Sequence, residues 1–300
     1  MTMSVLSCEI SAYAKLNLFL KVVAKRPDGY HDILTLFQKV SLADTIGIQL
    51  VEPSDKKAGL IRLSAQGWPV PEDDTNLAHR AVGAFLQKTG MTWQVNIHLH
   101  KRIPPGSGMG GGSSDAAAVL RAMNQLTGSP LTFDGLLELG AGLGADVPFF
   151  LLKEGAAIGR GIGVELEPVD TERHWFVVVW PGFSISTKWV YDHFVLTNPV
   201  RHTNLLGADD LAQFLWQNDL EQAVMPSYPL LNDLKTRLIS CGALHAMMTG
   251  SGSAVFGVFK TEEEANKTAD ALSIQLKDEK TCKPAEDNPV AWLVAPVTTL

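Results

Sequence analysis

Five glycines fall within Gly106–Gly112 of the segment Lys101-Arg102-Ile103-Pro104-Pro105-Gly106-Ser107-Gly108-Met109-Gly110-Gly111-Gly112-Ser113-Ser114-Asp115. Glycine loses more backbone freedom on folding than any other residue, so such a cluster inside a domain needs a local reason. The run that follows, Ala116–Met123, is a strong helix former, and Gly128 ends it. A strand, a glycine loop and a helix N-terminus in that order make an anion site. Free backbone N–H groups and the helix dipole point at the ligand, and the absent Cβ atoms let phosphate oxygens approach. Ser113 and Ser114 add hydroxyls that can donate to a phosphate or ligate magnesium. The competing reading is a flexible linker, but linkers seldom run straight into an alanine-rich helix. No lysine follows the glycines, so the Walker pattern is absent. Gly106, Gly108 and Gly111 fit G-x-G-x-x-G by letter. The acids near the distance a dinucleotide fold requires, Asp134 and Glu138, fall in a predicted helix and not at a strand end, which disfavours that fold.

Transfer of a phosphoryl group to an alcohol needs a base, an in-line approach and neutralisation of spreading negative charge. Asp146, two residues before Pro148, can be that base. It is also well placed to cap a helix starting near the proline, and on residues alone the cap is the plainer role. Lys15 has a similar ambiguity. A lysine beside an apolar strand usually snorkels to the surface, yet Leu16–Leu20 is too apolar to be mostly exposed. Lys101 can approach a nucleotide or stand as a solvent charge at a strand end. The turn Lys25-Arg26-Pro27-Asp28-Gly29-Tyr30-His31 is set by its Pro-Asp-Gly chemistry, but a plain hairpin has no need of Arg26, Tyr30 and His31. His98 and His100 share one polar strand face, where solvation explains them better than a metal does.

These groups need strands and helices to hold them. Leu16–Val23, Ile33–Val40 and Thr45–Val51 read as strands, and Trp93–His100 alternates with Val95, Ile97 and Leu99 on one buried face. Asn76–Lys88 has helical spacing, with Thr75 or Asp74 as cap and Gly90 as stop. Later come a strand at Phe176–Val179, helical patterning at Leu211–Leu215 and Tyr228–Ser240, and a strand at Ala254–Phe259. A helix at Thr261–Leu276 and a last strand at Val290–Ala295 follow. The irregular alternation predicts an α+β fold in two domains, 1–165 and 166–300. With 300 residues, 46% apolar and 19% charged, the chain has ample material for a core. A formal charge of -7 argues against nonspecific binding to nucleic acid or an anionic membrane. Cys8, Cys241 and Cys282 are too scattered for a disulfide framework or a zinc site. No apolar stretch approaches the roughly 20 residues that span a bilayer, and no secretory leader is evident. A cytoplasmic protein is expected.

The run Pro105–Ala117 resembles the phosphate-binding motif of the GHMP kinases. Ala14–Leu20 followed by Arg26–His31, and Gly144-Ala145-Asp146-Val147-Pro148-Phe149, are similar to the branch of that superfamily acting on a cytidine-diphosphate-linked methylerythritol. Thr249-Gly250-Ser251-Gly252-Ser253-Ala254 resembles the superfamily's third motif, although it also suits a tight turn. The resemblance implies a two-domain kinase fold with its active site in the interdomain cleft, ATP and Mg²⁺ as cofactors, and phosphorylation of the acceptor's 2-hydroxyl. It further implies Asp146 as base and Lys15 as the cation beside the acceptor oxygen, with Asn17 positioning that oxygen. Tyr30, His31 and Tyr191 would meet the cytidine end, and Lys101 and Pro105–Asp115 the nucleotide. A kinase of another alcohol such as homoserine, and a nucleotide-binding protein without transfer, are the alternatives.

Overall fold

The computed structural model describes residues 5–52, 60–197, 213–278 and 292–300. Two long strands open the chain, β1 (Val5–Lys25) and β2 (His31–Val51). The two segments expected at Ile33–Val40 and Thr45–Val51 are therefore one strand, because Ser41–Asp44 between them keeps extended backbone. Its connection to β1 is the expected Pro-Asp-Gly turn, with Gly29 at φ 89°. The elements that follow are β3 (Ile61–Gly67), α1 (Leu77–Thr89), β4 (Gln94–Lys101), α2 (Gly111–Leu126), α3 (Phe133–Leu143) and α4 (Val147–Leu151). Then come β5 (Ala156–Arg160), β6 (Glu165–Val169), β7 (Trp175–Trp180), α5 (Thr187–His193), α6 (Glu221–Val224), α7 (Pro229–Ser240), β8 (His245–Met248), β9 (Val255–Phe259), α8 (Glu262–Asp278) and β10 (Leu293–Thr298).

The chain divides into two compact units, each discontinuous in sequence. The first is Met1–Ala14, Leu42–Pro105 and Gly110–Lys153, and the second is Lys15–Ser41, Gly106–Met109 and Glu154–Leu300. Both β1 and β2 run from one unit into the other, so no single point in the chain separates them.

In the first unit, the C-terminal half of β2 pairs antiparallel with β4, with Ile48 opposite Ile97, and β3 runs parallel on the far side of β4. Val95, Ile97 and Leu99 are buried, as their alternation requires. α1 packs on α2, α3 and β3, burying Ala81, Val82 and Phe85. Its cap is Asn76, which accepts from the N–H of Ala78, and not Thr75 or Asp74; Thr75 is bonded to Asp73 instead. Gly90 ends the helix in the left-handed conformation, as expected.

In the second unit, the N-terminal half of β2 pairs with β5, which pairs with β6. A four-stranded antiparallel sheet in the order β10-β7-β9-β8 sits against α7 and α8. Its core joins Val177, Val179, Val255 and Phe259 to Leu231, Leu234 and Leu272. Of the expected last strand, residues 290–291 lie outside the described residues, as do 211–212 of the expected helical stretch; Gln213–Trp216 forms turns. Cys282 also lies outside them. No helix among the described residues is long and apolar enough to cross a membrane.

Candidate active site

β1 enters the second unit at Lys15 with a polar pair set into an apolar strand. Leu16, Leu18 and Leu20 are buried, and so are Lys15 and Asn17, at 4% and 1% exposed. Residues two apart share a strand face, so the two polar side chains point the same way. Lys15 Nζ donates to Asn17 Oδ1 at 2.6 Å, and its backbone N–H donates to the carbonyl of Met109 at 3.0 Å. Asn17 Nδ2 donates to Thr35 Oγ1 at 2.8 Å, and the Asn17 backbone N–H donates to Thr249 Oγ1 at 3.1 Å. Lys15 is therefore no snorkelling surface charge. The strand thus fixes an ammonium inside the protein, where desolvation is costly unless hydrogen bonds such as that to Asn17 offset it.

Thr249 begins the turn between β8 and β9, and the structure brings that turn onto Lys15. A Cβ on Gly250 would stand 3.3 Å from Lys15 Nζ and 3.4 Å from Asn17 Oδ1. The third motif thus forms the tight turn it also suited, and that turn lies beside Lys15 and Asn17.

The glycine loop divides at residue 110. In the second unit, Gly106 and Gly108 are both left-handed, at φ 63° and 82°. A Cβ on Gly106 would collide with Ser184, and one on Gly108 with the carbonyl oxygen of Thr249. Ser107 accepts the backbone N–H of Ala254, while its hydroxyl is buried without a hydrogen-bond partner. Close packing on Ser184 for Gly106 and on the 249–254 turn for Gly108 therefore explains these glycines before any ligand is invoked. Gly108→Ala is expected to lower stability by at least about 1–2 kcal/mol from the left-handed penalty alone. Urea denaturation measures it, and an unchanged midpoint would contradict this packing.

In the first unit, α2 starts at Gly111, five residues before the alanine run. Its cap, Gly110, is left-handed and supplies no side-chain acceptor, whereas α1, α3 and α5 are capped by Asn76, Thr132 and Ser186. The first turn of this 16-residue helix therefore receives no hydrogen bond from a capping side chain, the condition an anion site at a helix start requires. Ser113 is half-buried in that turn, but Ser114 and Asp115 are buried in the helix body and do not line the loop. A Cβ on Gly111 would point at Ile103, so a larger residue there strains the core instead of crowding a phosphate.

Asp115 has a structural partner. Lys101 Nζ bonds Asp115 Oδ2 at 2.5 Å and also Asp44 Oδ2, and all three side chains are buried. Asp44 Oδ1 accepts the N–H groups of Arg102 and Ile103 at 2.6 and 2.8 Å. Two carboxylates thus face one ammonium. Burial is the main cause that pushes the Asp115 carboxyl up to about 7; Lys101 opposes the shift and Asp44 adds to it. Lys101 is therefore neither the solvent charge nor the open nucleotide contact that the sequence allowed. Its ammonium is committed to two aspartates beneath the start of α2.

Asp146 occupies the N-cap position of α4, with Pro148 in the first turn, as the cap reading expects. Its side chain makes no capping hydrogen bond. The carboxylate is half-buried at this position.

At the expected cytidine end, His31 and Tyr191 stack with ring centroids 5.2 Å apart, and Phe194 meets the imidazole edge-on. Tyr30 is not part of this stack and is 63% exposed. Burial, aided by Lys25 and opposed by Asp192, lowers the His31 pKa, so the ring is neutral near pH 7. Its Nδ1 is buried and without a partner. His98 and His100 face solvent as expected. Among the described residues no group of three or more His, Cys, Asp or Glu side chains can hold a metal. Thr35, Asp44 and Thr249 carry no local signal in the sequence, since the residues they bond, Asn17 and Lys101, are 18 to 232 positions away.

Comparison with known proteins gives the family. Residues 76–154 match the family described as GHMP kinases N terminal domain, and residues 200–278 that described as GHMP kinases C terminal. A 4-diphosphocytidyl-2-C-methyl-D-erythritol kinase of Geotalea daltonii is 38% identical over 296 residues, 97% of this chain and 99% of the relative. One from Syntrophus aciditrophicus is 41% identical over 270 residues, 88% of this chain and 94% of the relative. A crystal structure of 4-(cytidine 5'-diphospho)-2C-methyl-D-erythritol kinase, 33% identical, superposes with a TM-score of 0.75 over 97% of this chain and 99% of that one. A homoserine kinase from Cytophaga hutchinsonii shares the fold, with a TM-score of 0.70, 19% identity and coverage of 100% of this chain and 96% of that one. The chain belongs to the GHMP kinases and, within them, to the 4-diphosphocytidyl-2-C-methyl-D-erythritol kinase family.

Proposed function

We propose that the chain transfers the γ-phosphoryl group of ATP to the 2-hydroxyl of 4-diphosphocytidyl-2-C-methyl-D-erythritol, a step of non-mevalonate isoprenoid synthesis. The observation that carries the reading is the buried Lys15–Asn17 pair, set in an apolar strand of a chain whose relatives bear that name along nearly its whole length. In the reaction the acceptor oxygen attacks the γ-phosphorus, its proton passes to the Asp146 carboxylate, and the bond to the bridging oxygen breaks to release ADP. Lys15 stabilises the negative charge that grows on the acceptor oxygen, and Asn17 fixes the ammonium. The free N–H groups at the start of α2 receive phosphate oxygens. His31 and Tyr191 offer the cytosine ring an aromatic surface and a neutral imidazole nitrogen, and Tyr30 offers a second surface open to solvent.

Magnesium in such a site is carried by the nucleotide phosphates with one or two protein oxygens, and it neutralises phosphate charge. The Ser113 hydroxyl in the first turn of α2 fits as one such oxygen. Acceptor choice tests the function. With ATP and Mg²⁺, the cytidyl acceptor should be phosphorylated and homoserine or mevalonate should not. Transfer to homoserine alone would instead support the nearest alternative within the superfamily.

A further inference from the structure

Asn218 lies in none of the motifs that the sequence singles out, yet its side chain makes three hydrogen bonds inside the second unit. At 7% exposed, its Nδ2 donates to the carbonyls of Met248 and Gly250, both at 2.8 Å, and its Oδ1 accepts the N–H of Leu220 at 3.0 Å. The two carbonyls flank Thr249, so one amide holds both ends of the residue that bonds Asn17. On the other side, the backbone around Asn218 runs along β1. Trp216 donates to Leu18, Leu20 to Gln217, and Asp219 to Leu20, at 2.8, 2.8 and 2.9 Å. The neighbouring acids tighten the same junction. Asp219 accepts the N–H of Val22 at 2.9 Å and pairs with Lys21 at 2.5 Å. Glu221 accepts the N–H of Met248 at 2.7 Å and pairs with Lys235 at 2.5 Å.

We infer that Asn218 is a positioning residue for phosphoryl transfer, its amide holding the Thr249–Gly250 backbone against Lys15 and Asn17. The inference rests on Lys15 acting in that transfer, as proposed above. Residue type matters here. The task needs two N–H donors and one acceptor at short reach, which asparagine supplies. Aspartate has the same shape but would set one carboxylate oxygen against two carbonyl oxygens. Serine retains one donor. If the turn shifts, Gly250 no longer packs at Lys15 Nζ, and displacement of a reacting group by about 1 Å costs on the order of 10²-fold in rate.

The test measures kcat, KM for both substrates and thermal midpoint for Asn218→Ala and Asn218→Asp, beside wild type, Lys15→Met and Leu231→Ala. Leu231 is a core residue of α7, and its truncation reports what destabilisation alone does. Asn218→Ala should lower kcat by roughly 10–10²-fold with each KM within about threefold. Leu231→Ala should keep its kcat per folded molecule. A cycle with Thr249→Val should be non-additive, the double variant being no slower than the slower single one. Should Asn218→Ala fail to fold, Asn218→Ser gives the same reading. Full kcat in the Asn218 variants, with Lys15→Met inactive, would overturn the inference and leave the kinase assignment intact. So would rate losses that multiply in the cycle. A wild type that phosphorylates nothing would instead overturn the function itself.

Discussion

Asp146→Asn is expected to lower kcat by roughly 10²–10⁴-fold while the protein folds normally. The substitution keeps the shape of the side chain and removes its ability to accept a proton. It also separates the two roles that the residue's position allows, since asparagine caps a helix as well as aspartate does. If Asp146 served α4 as a cap, the variant would keep its rate. The absence of a capping hydrogen bond from the Asp146 side chain predicts the opposite. Steady-state kinetics on variant verified by circular dichroism decides it, and a rate near that of wild type would remove Asp146 from the chemistry.

Lys15→Met should lower kcat by about 10²–10³-fold, the usual consequence of deleting one group that stabilises developing negative charge. Methionine nearly matches the lysine in volume, so the loss reports charge. Asn17 would keep its bonds to Thr35 and Thr249, leaving the local frame in place. Lys15→Arg should not restore the rate, because a guanidinium is too broad for a residue 4% exposed that packs against Gly250 and, 5.4 Å away, the Phe37 ring. The KM for ATP should change little, since the proposed phosphate donors are backbone groups of α2. A large rise in that KM at constant kcat would move Lys15 from the acceptor to the nucleotide.

Much of the site is local enough to be visible in the sequence. Glycine spacing before an alanine-rich run marks the uncapped start of α2, and a lysine two residues from an asparagine in an apolar strand marks the Lys15–Asn17 pair. What stays hidden depends on distant partners. Lys101 looks like a solvent charge at a strand end because Asp44, one of its two partners, is 57 residues away and Asp115, 14 residues on, reads as part of the glycine loop. The glycines at 106 and 108 read as room for phosphate, yet they make room for Ser184 and Thr249. Asn218 has no periodic or motif signal, and only the fold places it between β1 and the 249–252 turn. The join of the two expected strands into β2 is a boundary error of the ordinary kind, since Ser41–Asp44 carries weak strand propensity on its own.

The most direct measurement is the proton-coupled phosphorus spectrum of the product made by the wild-type protein from ATP and 4-diphosphocytidyl-2-C-methyl-D-erythritol. The 2-carbon bears the methyl branch and no hydrogen, so a phosphate placed there shows no three-bond splitting. One new, unsplit monoester signal is expected, growing in step with ADP. A split signal would put the phosphate on a primary or secondary hydroxyl, and ADP without any new monoester would mean hydrolysis of ATP. Either result would contradict the assignment.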